Sequence, residues 1–203
     1  MGERDSNFNI FKMLEGGNRE VAVCRFLGGL FNPKGSHDEG TRFLERFLTV
    51  VLKIDPLFVL PGPPDAGATV KLDEPIGKNQ FVDIVIRGGD YFTSRDTVLP
   101  FEVRLYSDDQ PGQLYDCYHY YFGDNSTKKI YYLTPDGRAP SEESVTGSDG
   151  SKLLPENVKT LSFKEDIKEW LQGLYESNEW LRDMNPFLTE VVDQFIEACD
   201  EIV

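Results

Sequence analysis

Two acids interrupt otherwise apolar strand patterns. Asp83 stands in Phe81-Val-Asp-Ile-Val-Ile86, and Glu102 stands in Leu99-Pro-Phe-Glu-Val-Arg-Leu-Tyr106. A carboxylate on a buried strand must be neutralised, paired or bound to a metal. One such acid fits a structural ion pair or a strand edge. Two of them, on strands expected to be neighbours, fit a shared site where oxygen ligands converge on a hard divalent cation. The same pattern also fits a buried salt bridge of Asp83 and Glu102 with Arg104, and the residues alone leave both readings open.

Other side chains with chemical potential form weaker patterns. His37 lies in a Gly-Ser-His turn with no i,i+4 histidine partner, which suits a surface or capping role rather than a metal ligand. His119 sits among Tyr115, Tyr118, Tyr120 and Tyr121. Such rings can stack on bases, but they more commonly pack a helix onto a sheet. No second histidine is placed for a Ser- or Cys-based triad. The chain has no Gly-x-x-x-x-Gly-Lys loop for nucleotide phosphates. Cys24, Cys117 and Cys199 have neither zinc-ligand spacing nor a paired framework, so a reducing, cytoplasmic compartment is expected.

The elements that must position Asp83 and Glu102 follow from periodicity and punctuation. Asn7–Leu14 reads as a short helix stopped by Gly16-Gly17. Asn18 is placed to cap a second helix to Phe31, with Val21, Cys24, Leu27 and Leu30 at helical spacing. Asp38 or Thr41 can cap a third, Thr41–Lys53, and the proline-rich stretch Pro56–Gly67 reads as a loop. Strands are expected at Thr69–Leu72 with some extension, Gln80–Arg87 and Val98–Tyr106. A helix Gln110–Phe122 and a strand Lys129–Leu133 follow. Ala139–Gly150 reads as an exposed loop and Val158–Leu161 as a short last strand. Ser162 with Glu165 makes a capping box for a helix to about Glu176, and a final helix spans about Phe187–Ile202. This order implies an α/β fold, a mixed central sheet flanked by helices.

A chain of 203 residues fits one domain. The expected organisation is a single unit over 1–203, with a helical N-terminus at 7–53, a core at 68–135 and C-terminal helices at 162–202. No apolar run approaches a membrane span, and the polar residues Met1 to Ser6 carry no leader pattern. The net charge is −14. Residues 1–100 hold 12 basic and 14 acidic side chains, whereas residues 101–203 hold 9 and 21. Phosphate-backbone binding is driven by cations that displace counterions, so nucleic-acid binding is expected to be weak unless basic groups cluster. The acidic excess of the second half reads as solvated helix surface.

Strand with Asp, strand with Glu-x-basic, then a Gln-bearing helix resembles the active-site core of the PD-(D/E)xK nuclease superfamily. The likeness spans most of the chain. Glu20 with Arg25-Phe-Leu27, Leu30-Phe-Asn-Pro-Lys-Gly-Ser-His37 and the Phe43-Leu44 and Phe47-Leu48 pairs are similar to a bacterial branch. So are Ile130-Tyr-Tyr-Leu-Thr-Pro-Asp-Gly137 and Leu161-Ser-Phe-Lys-Glu-Asp-Ile-Lys-Glu-Trp-Leu171.

The resemblance implies a restriction-endonuclease-like core, a prokaryotic or phage origin and metal-dependent hydrolysis of nucleic-acid phosphodiesters, DNA ahead of RNA. It implies that Asp83 and Glu102 hold Mg²⁺ or Mn²⁺ with Glu20 facing the same site. Arg104 then contacts the scissile phosphate, and Gln110 and Gln113 open the next helix, with Gln113 orienting water or backbone. Three positions depart from the family pattern. Val82 replaces a frequent Pro, and Arg104 replaces Lys. Arg keeps the charge but cannot give up a proton. Cys117 stands where the branch often has Tyr, with Tyr118 turned about 100° away on the helix. The rival expectation is a catalytically silent relative that binds a protein partner through its acidic C-terminal half.

Overall fold

The structure, a computed structural model of the chain, describes residues 9–13, 16–60, 67–77, 80–89, 96–176 and 186–201. Five strands form one mixed sheet in the order β1 (Thr69–Gly77), β2 (Gln80–Gly89), β3 (Asp96–Val103), β4 (Ile130–Thr134) and β5 (Val158–Ser162). The first three are antiparallel neighbours. β4 is parallel to β3, and β5 is parallel to β4. The expected mixed α/β sheet is therefore present, and Val158–Leu161 does form its last strand.

Helices cover both faces, and each face has its own core. On one face lie α1 (Gly16–Phe31), α2 (Arg42–Phe47, continued by a π turn Leu48–Leu52), α4 (Lys168–Glu176, entered through a π turn Phe163–Ile167) and α5 (Pro186–Cys199). Trp170 is fully buried there, with its ring centroid 5.5 Å from that of Phe31 and 5.1 Å from that of Phe47. Phe101 of β3 joins this cluster from the sheet. The other face is covered by α3 (Gln113–Phe122), whose Leu114, Cys117 and Tyr118 pack on Val82, Val85, Ile130 and Tyr132. Among the described residues no helix is long and apolar enough to cross a membrane.

Several boundaries differ from the expectation. The described part of Asn7–Leu14, residues 9–13, makes turns rather than a helix; the remainder lies outside the described residues. The Asn9 side chain accepts from the amides of Phe11 and Lys12, and its own amide donates to the Gln194 carbonyl, so this segment is pinned to α5. Helix α1 starts at Gly16, before Asn18. Thr41 makes no side-chain cap; its hydroxyl instead donates to Glu45. Ser162 does accept from the Glu165 amide, yet the acid that reaches back to the Ser162 amide is Asp166, because the first turn is a π turn. Residues 61–66 of the proline-rich loop lie outside the described residues. Its first part is a 3-10 turn, Pro56–Phe58, capped by Asp55.

Gly88 lets β2 pass beneath this turn. A Cβ at that position would stand 1.8 Å from the Val59 carbonyl oxygen, a contact no side chain can make.

Candidate active site

Where Asp83 sits, the sheet loses its regularity. In a regular strand residues i and i+2 share a face. Yet Val82 packs under α3, whereas Ile84 packs in the opposite core. The β1–β2 pairing runs through Leu72↔Ile84 and Glu74↔Val82 but skips the intervening residues, and Asp73, opposite Asp83, has φ of 49°. The β2–β3 ladder likewise stops at Ile84↔Phe101. Asp83 and Glu102 come next in line, and in place of a backbone bond the Asp83 Oδ2 accepts from the Val103 amide at 2.7 Å. Strand divergence turns both carboxyls toward a common point.

Around that point the geometry is tight. Arg104 Nη2 lies 2.6 Å from Glu102 Oε1, and its Nη1 lies 3.6 Å from Asp83 Oδ2 and 2.8 Å from the Val103 carbonyl. Gln113 Nε2, on the first residue of α3, donates to the same Glu102 Oε1 at 2.6 Å. Glu102 is 1% exposed, and its second oxygen, Oε2, is buried with no hydrogen-bond partner. These residues, with Gln80, Phe81, Gln110 and Pro111, line an open cavity of about 210 Å³.

Burial, then the neighbouring Asp83 charge, pushes the Glu102 carboxyl well above the usual carboxylate range, and the Arg104 charge only partly opposes them. Burial also raises Asp83, against the Val103 amide and Arg104, which favour its charged form. For Arg104 burial works against the charge, but the attraction of Glu102, Asp83 and Glu20 outweighs it. The site thus holds more negative charge than Arg104 neutralises. A bound proton relieves the excess, and so does a divalent cation. An unpartnered carboxylate oxygen beside a second carboxyl is a donor set that suits a hard cation with oxygen ligands.

Glu20 reaches the site from α1, but it is occupied differently. Its Oε2 accepts from the Leu105 amide at 2.8 Å and from the Ser107 hydroxyl at 3.3 Å, tying α1 to the end of β3. Glu20 and Asp83 both line a small space of about 30 Å³ with Cys24 and Asp73, enough for one water-sized ligand. Among the described residues no group of three or more His, Cys, Asp or Glu side chains gathers as a metal cage. Asp83 and Glu102 form the close pair, and Glu20 stands beside them.

Gln113 is positioned by a part of the chain that its composition presents as an exposed loop. Helix α3 begins at Gln113, later than the Gln110 start expected, because Gly112 has φ of 72°. The loop 139–150 supplies the cap. The Gly112 amide donates to the Glu143 carbonyl, and the Leu114 and Tyr115 amides donate to the Ser144 carbonyl, at 2.9, 3.0 and 3.1 Å. Ser144 is accordingly buried. Asp109, which is not among the expected site residues, clamps the approach to the helix. It accepts from the Tyr132 hydroxyl, from Arg138 at 3.2 Å and from the Ser141 amide at 2.6 Å. Its signal was an Asp directly ahead of a Gln-Pro-Gly turn, where a carboxylate commonly organises the backbone.

The remaining candidates have structural partners. His37 Nδ1 accepts from the Glu39 amide, which leaves Nε2–H to donate to the Asn32 carbonyl, a turn-holding role. His119 stacks on Tyr115 with centroids 4.0 Å apart. Cys117 is buried under the sheet near the acids. Tyr118 turns away, as the helical spacing implies; its hydroxyl donates to the Asn125 carbonyl and accepts from Asn157. Cys24, Cys117 and Cys199 are all free and buried.

No curated protein and no solved structure matches this chain. A family model described as the PD-(D/E)XK nuclease superfamily matches residues 8–197, nearly the whole length, and its members generally use divalent metals to cleave nucleic acid. The five-stranded mixed sheet agrees with the restriction-endonuclease-like fold of that group, and the chain belongs to the PD-(D/E)XK nuclease superfamily.

Proposed function

We propose that this chain, acting as a single domain, is a divalent-metal-dependent nuclease whose site is centred on Asp83, Glu102 and Arg104. The observation that carries the reading is that the buried Oε2 of Glu102 meets no hydrogen-bond donor and lies beside the Asp83 carboxyl. Desolvating a carboxylate oxygen without a partner is costly, and a cation held by both acids removes that cost. Asp83 and Glu102 are the ligands for Mg²⁺ or Mn²⁺, which when bound supplies a polarised phosphate and a water of lowered pKa. Gln113 fixes the rotamer of Glu102 by its 2.6 Å bond. Arg104 offers its guanidinium fork to a phosphate oxygen and takes no part in proton transfer. Glu20 holds the end of β3 in register with α1 and adds negative charge beside Asp83. The substrate class is DNA ahead of RNA, in the cytoplasm of a prokaryote or phage-infected cell.

The test is thermal and catalytic together. Mn²⁺ raises the melting temperature of the wild type by ligand linkage, about 2.7 kcal/mol at a hundredfold excess over Kd, and stimulates cleavage of a labelled oligonucleotide. Asp83→Ala loses both responses. An equal shift in wild type and variant removes the shared metal site.

A second reading has its own observation. Arg104 already pairs with both acids, which is the arrangement of a catalytically silent relative that uses the fold as a binding or assembly module. Calorimetric titration with Mn²⁺ separates the two, since a silent relative takes up no cation at Asp83 and Glu102.

A further inference from the structure

Two large exposed aromatic side chains lie close in sequence to the acids and Arg104, Phe81 lining the site cavity and Tyr106 following β3 beside Glu20. Phe81 lies on β2, two residues before Asp83, and is 53% exposed although it lines the same cavity as Asp83, Glu102 and Gln113. Tyr106 follows β3 and is 40% exposed. The Arg19 guanidinium lies 5.7 Å from the centre of the Tyr106 ring, and Glu20, which neighbours Asp83, bonds the amide of Leu105 just before it. Neither ring belongs to either core cluster. Exposed rings occur elsewhere too, Phe58 and Tyr120 among them; what sets Phe81 and Tyr106 apart is that one lines the cavity of the acids and the other follows Arg104 beside Glu20.

The cations around the site are few. Among the described residues lining the cavity Arg104 carries the one positive charge, and it is already paired with Glu102. The chain as a whole carries a net −14. A duplex presents stacked bases edge-on and a rigid double row of phosphates, and tight binding to it requires many cations set along a groove. A single strand is more flexible, needs fewer charge contacts and exposes the faces of its bases to aromatic side chains.

Resting on the nuclease reading above, we propose that the substrate is single-stranded nucleic acid, and that the bases flanking the scissile phosphate stack on Phe81 on one side and Tyr106 on the other. Arg104 meets the phosphate between them, and Arg19 meets the backbone beyond Tyr106. The two rings set the choice of single strand over duplex without reading sequence, because every base has a face to stack.

The experiment measures binding without divalent cation, so that it does not depend on cleavage. The probe is a single-stranded oligodeoxynucleotide of about twelve residues carrying 2-aminopurine, a length within the usual footprint of such sites, compared with the same oligonucleotide in duplex form. The single strand is expected to bind roughly tenfold or more tighter than the duplex, with quenching of the 2-aminopurine fluorescence on stacking. Phe81→Leu and Tyr106→Leu are each expected to weaken single-strand binding by roughly 5- to 100-fold and to relieve the quenching. The slope of log K against log salt stays unchanged in both variants, because stacking displaces no counterions. Both residues are surface-exposed, so the melting temperature is expected to hold. Duplex binding as tight as single-strand binding overturns the proposal, and so do variants that bind the single strand as the wild type does. Absence of Mn²⁺-dependent cleavage with ring-dependent single-strand binding intact counts against the nuclease reading alone.

Discussion

Arg104 Nη2 stands 2.6 Å from Glu102 Oε1, with the two side chains 8% and 1% exposed. A pair this deeply buried gains little over apolar packing, but removing one partner leaves the other stranded at a cost of about 3–5 kcal/mol. Arg104→Met is therefore expected to lose stability of that order in metal-free buffer. Mn²⁺ should restore much of it, because the cation replaces the missing charge. Urea melts with and without Mn²⁺ check this. A loss that Mn²⁺ leaves untouched would mean that Arg104 supports the fold and has no exchange with a cation.

Arg104 also bears on rate. Its planar fork holds phosphate but takes no part in proton transfer, and it is bulkier than a Lys ammonium. Weak Mg²⁺-dependent cleavage is expected from the wild type, with a gain on Arg104→Lys. Water positioning and proton transfer contribute about 10²- to 10⁴-fold, so the gain should stand clear of background. No gain, with the wild type also silent, favours the binding-module reading. Brisk wild-type cleavage that falls on Arg104→Lys shows a site tuned to Arg.

Salt dependence follows from the charge count. With a net of −14 and few cations beside the acids, binding displaces few counterions. The slope of log K against log salt is expected to be no steeper than about −2. Tight binding that persists at high salt, or a steep slope, points to a basic groove elsewhere on the surface.

Acid sensitivity should be traceable to Glu74. This buried residue on β1 accepts from both terminal nitrogens of Arg87 on β2, one bond at 2.6 Å, and from the Tyr121 hydroxyl at 3.0 Å. The Arg87 bonds hold its pKa below the ordinary glutamate value, against burial. The unfolded chain then binds more protons between the two pKa values, so stability rises with pH across that window. The contribution is complete above the unfolded pKa and is lost as pH falls through the folded one. Glu74→Gln should cost about 1.5–3 kcal/mol near neutrality, and the deficit should shrink as pH is lowered through the acid range. A deficit that is constant with pH would assign the loss to packing.

Much of the site was readable because acids are conspicuous among Val, Ile and Phe. Asp83 and Glu102 lie next in line on neighbouring strands, as their patterns indicate, Gln113 opens α3 three residues past the expected start, and the helices on the first face follow from periodicity. What the sequence hid is tertiary. The reversal of facing between Val82 and Ile84 depends on Asp73, whose positive φ lies on another strand and carries no local signal. The cap of α3 comes from carbonyls, which have no side-chain signature, so Ala139–Gly150 read as loop and nothing more. Asn7–Leu14 reads as a short helix, yet the Asn9 side-chain amide donates to the Gln194 carbonyl and the Ile10 amide to the Gln194 side chain, tertiary bonds that go with turns at 9–13. The bond of Glu20 to the Leu105 amide past the end of β3 joins elements far apart in the chain and has no signature in either.

The splint that loop 139–150 provides has a further consequence for where an anion can go. Helix starts commonly serve as ready-made phosphate cradles. At α3 the amides of Gly112, Leu114 and Tyr115 are already spoken for by the carbonyls of Glu143 and Ser144. That berth is closed to a phosphodiester, which leaves the burden of charge to Arg104 and a cation. It also makes a distant surface segment an accessory of the chemistry. A single proteolytic nick between Ser141 and Gly147 would release Gln113 from its anchorage, and with it the orientation of Glu102, while leaving every side chain of the site in the molecule.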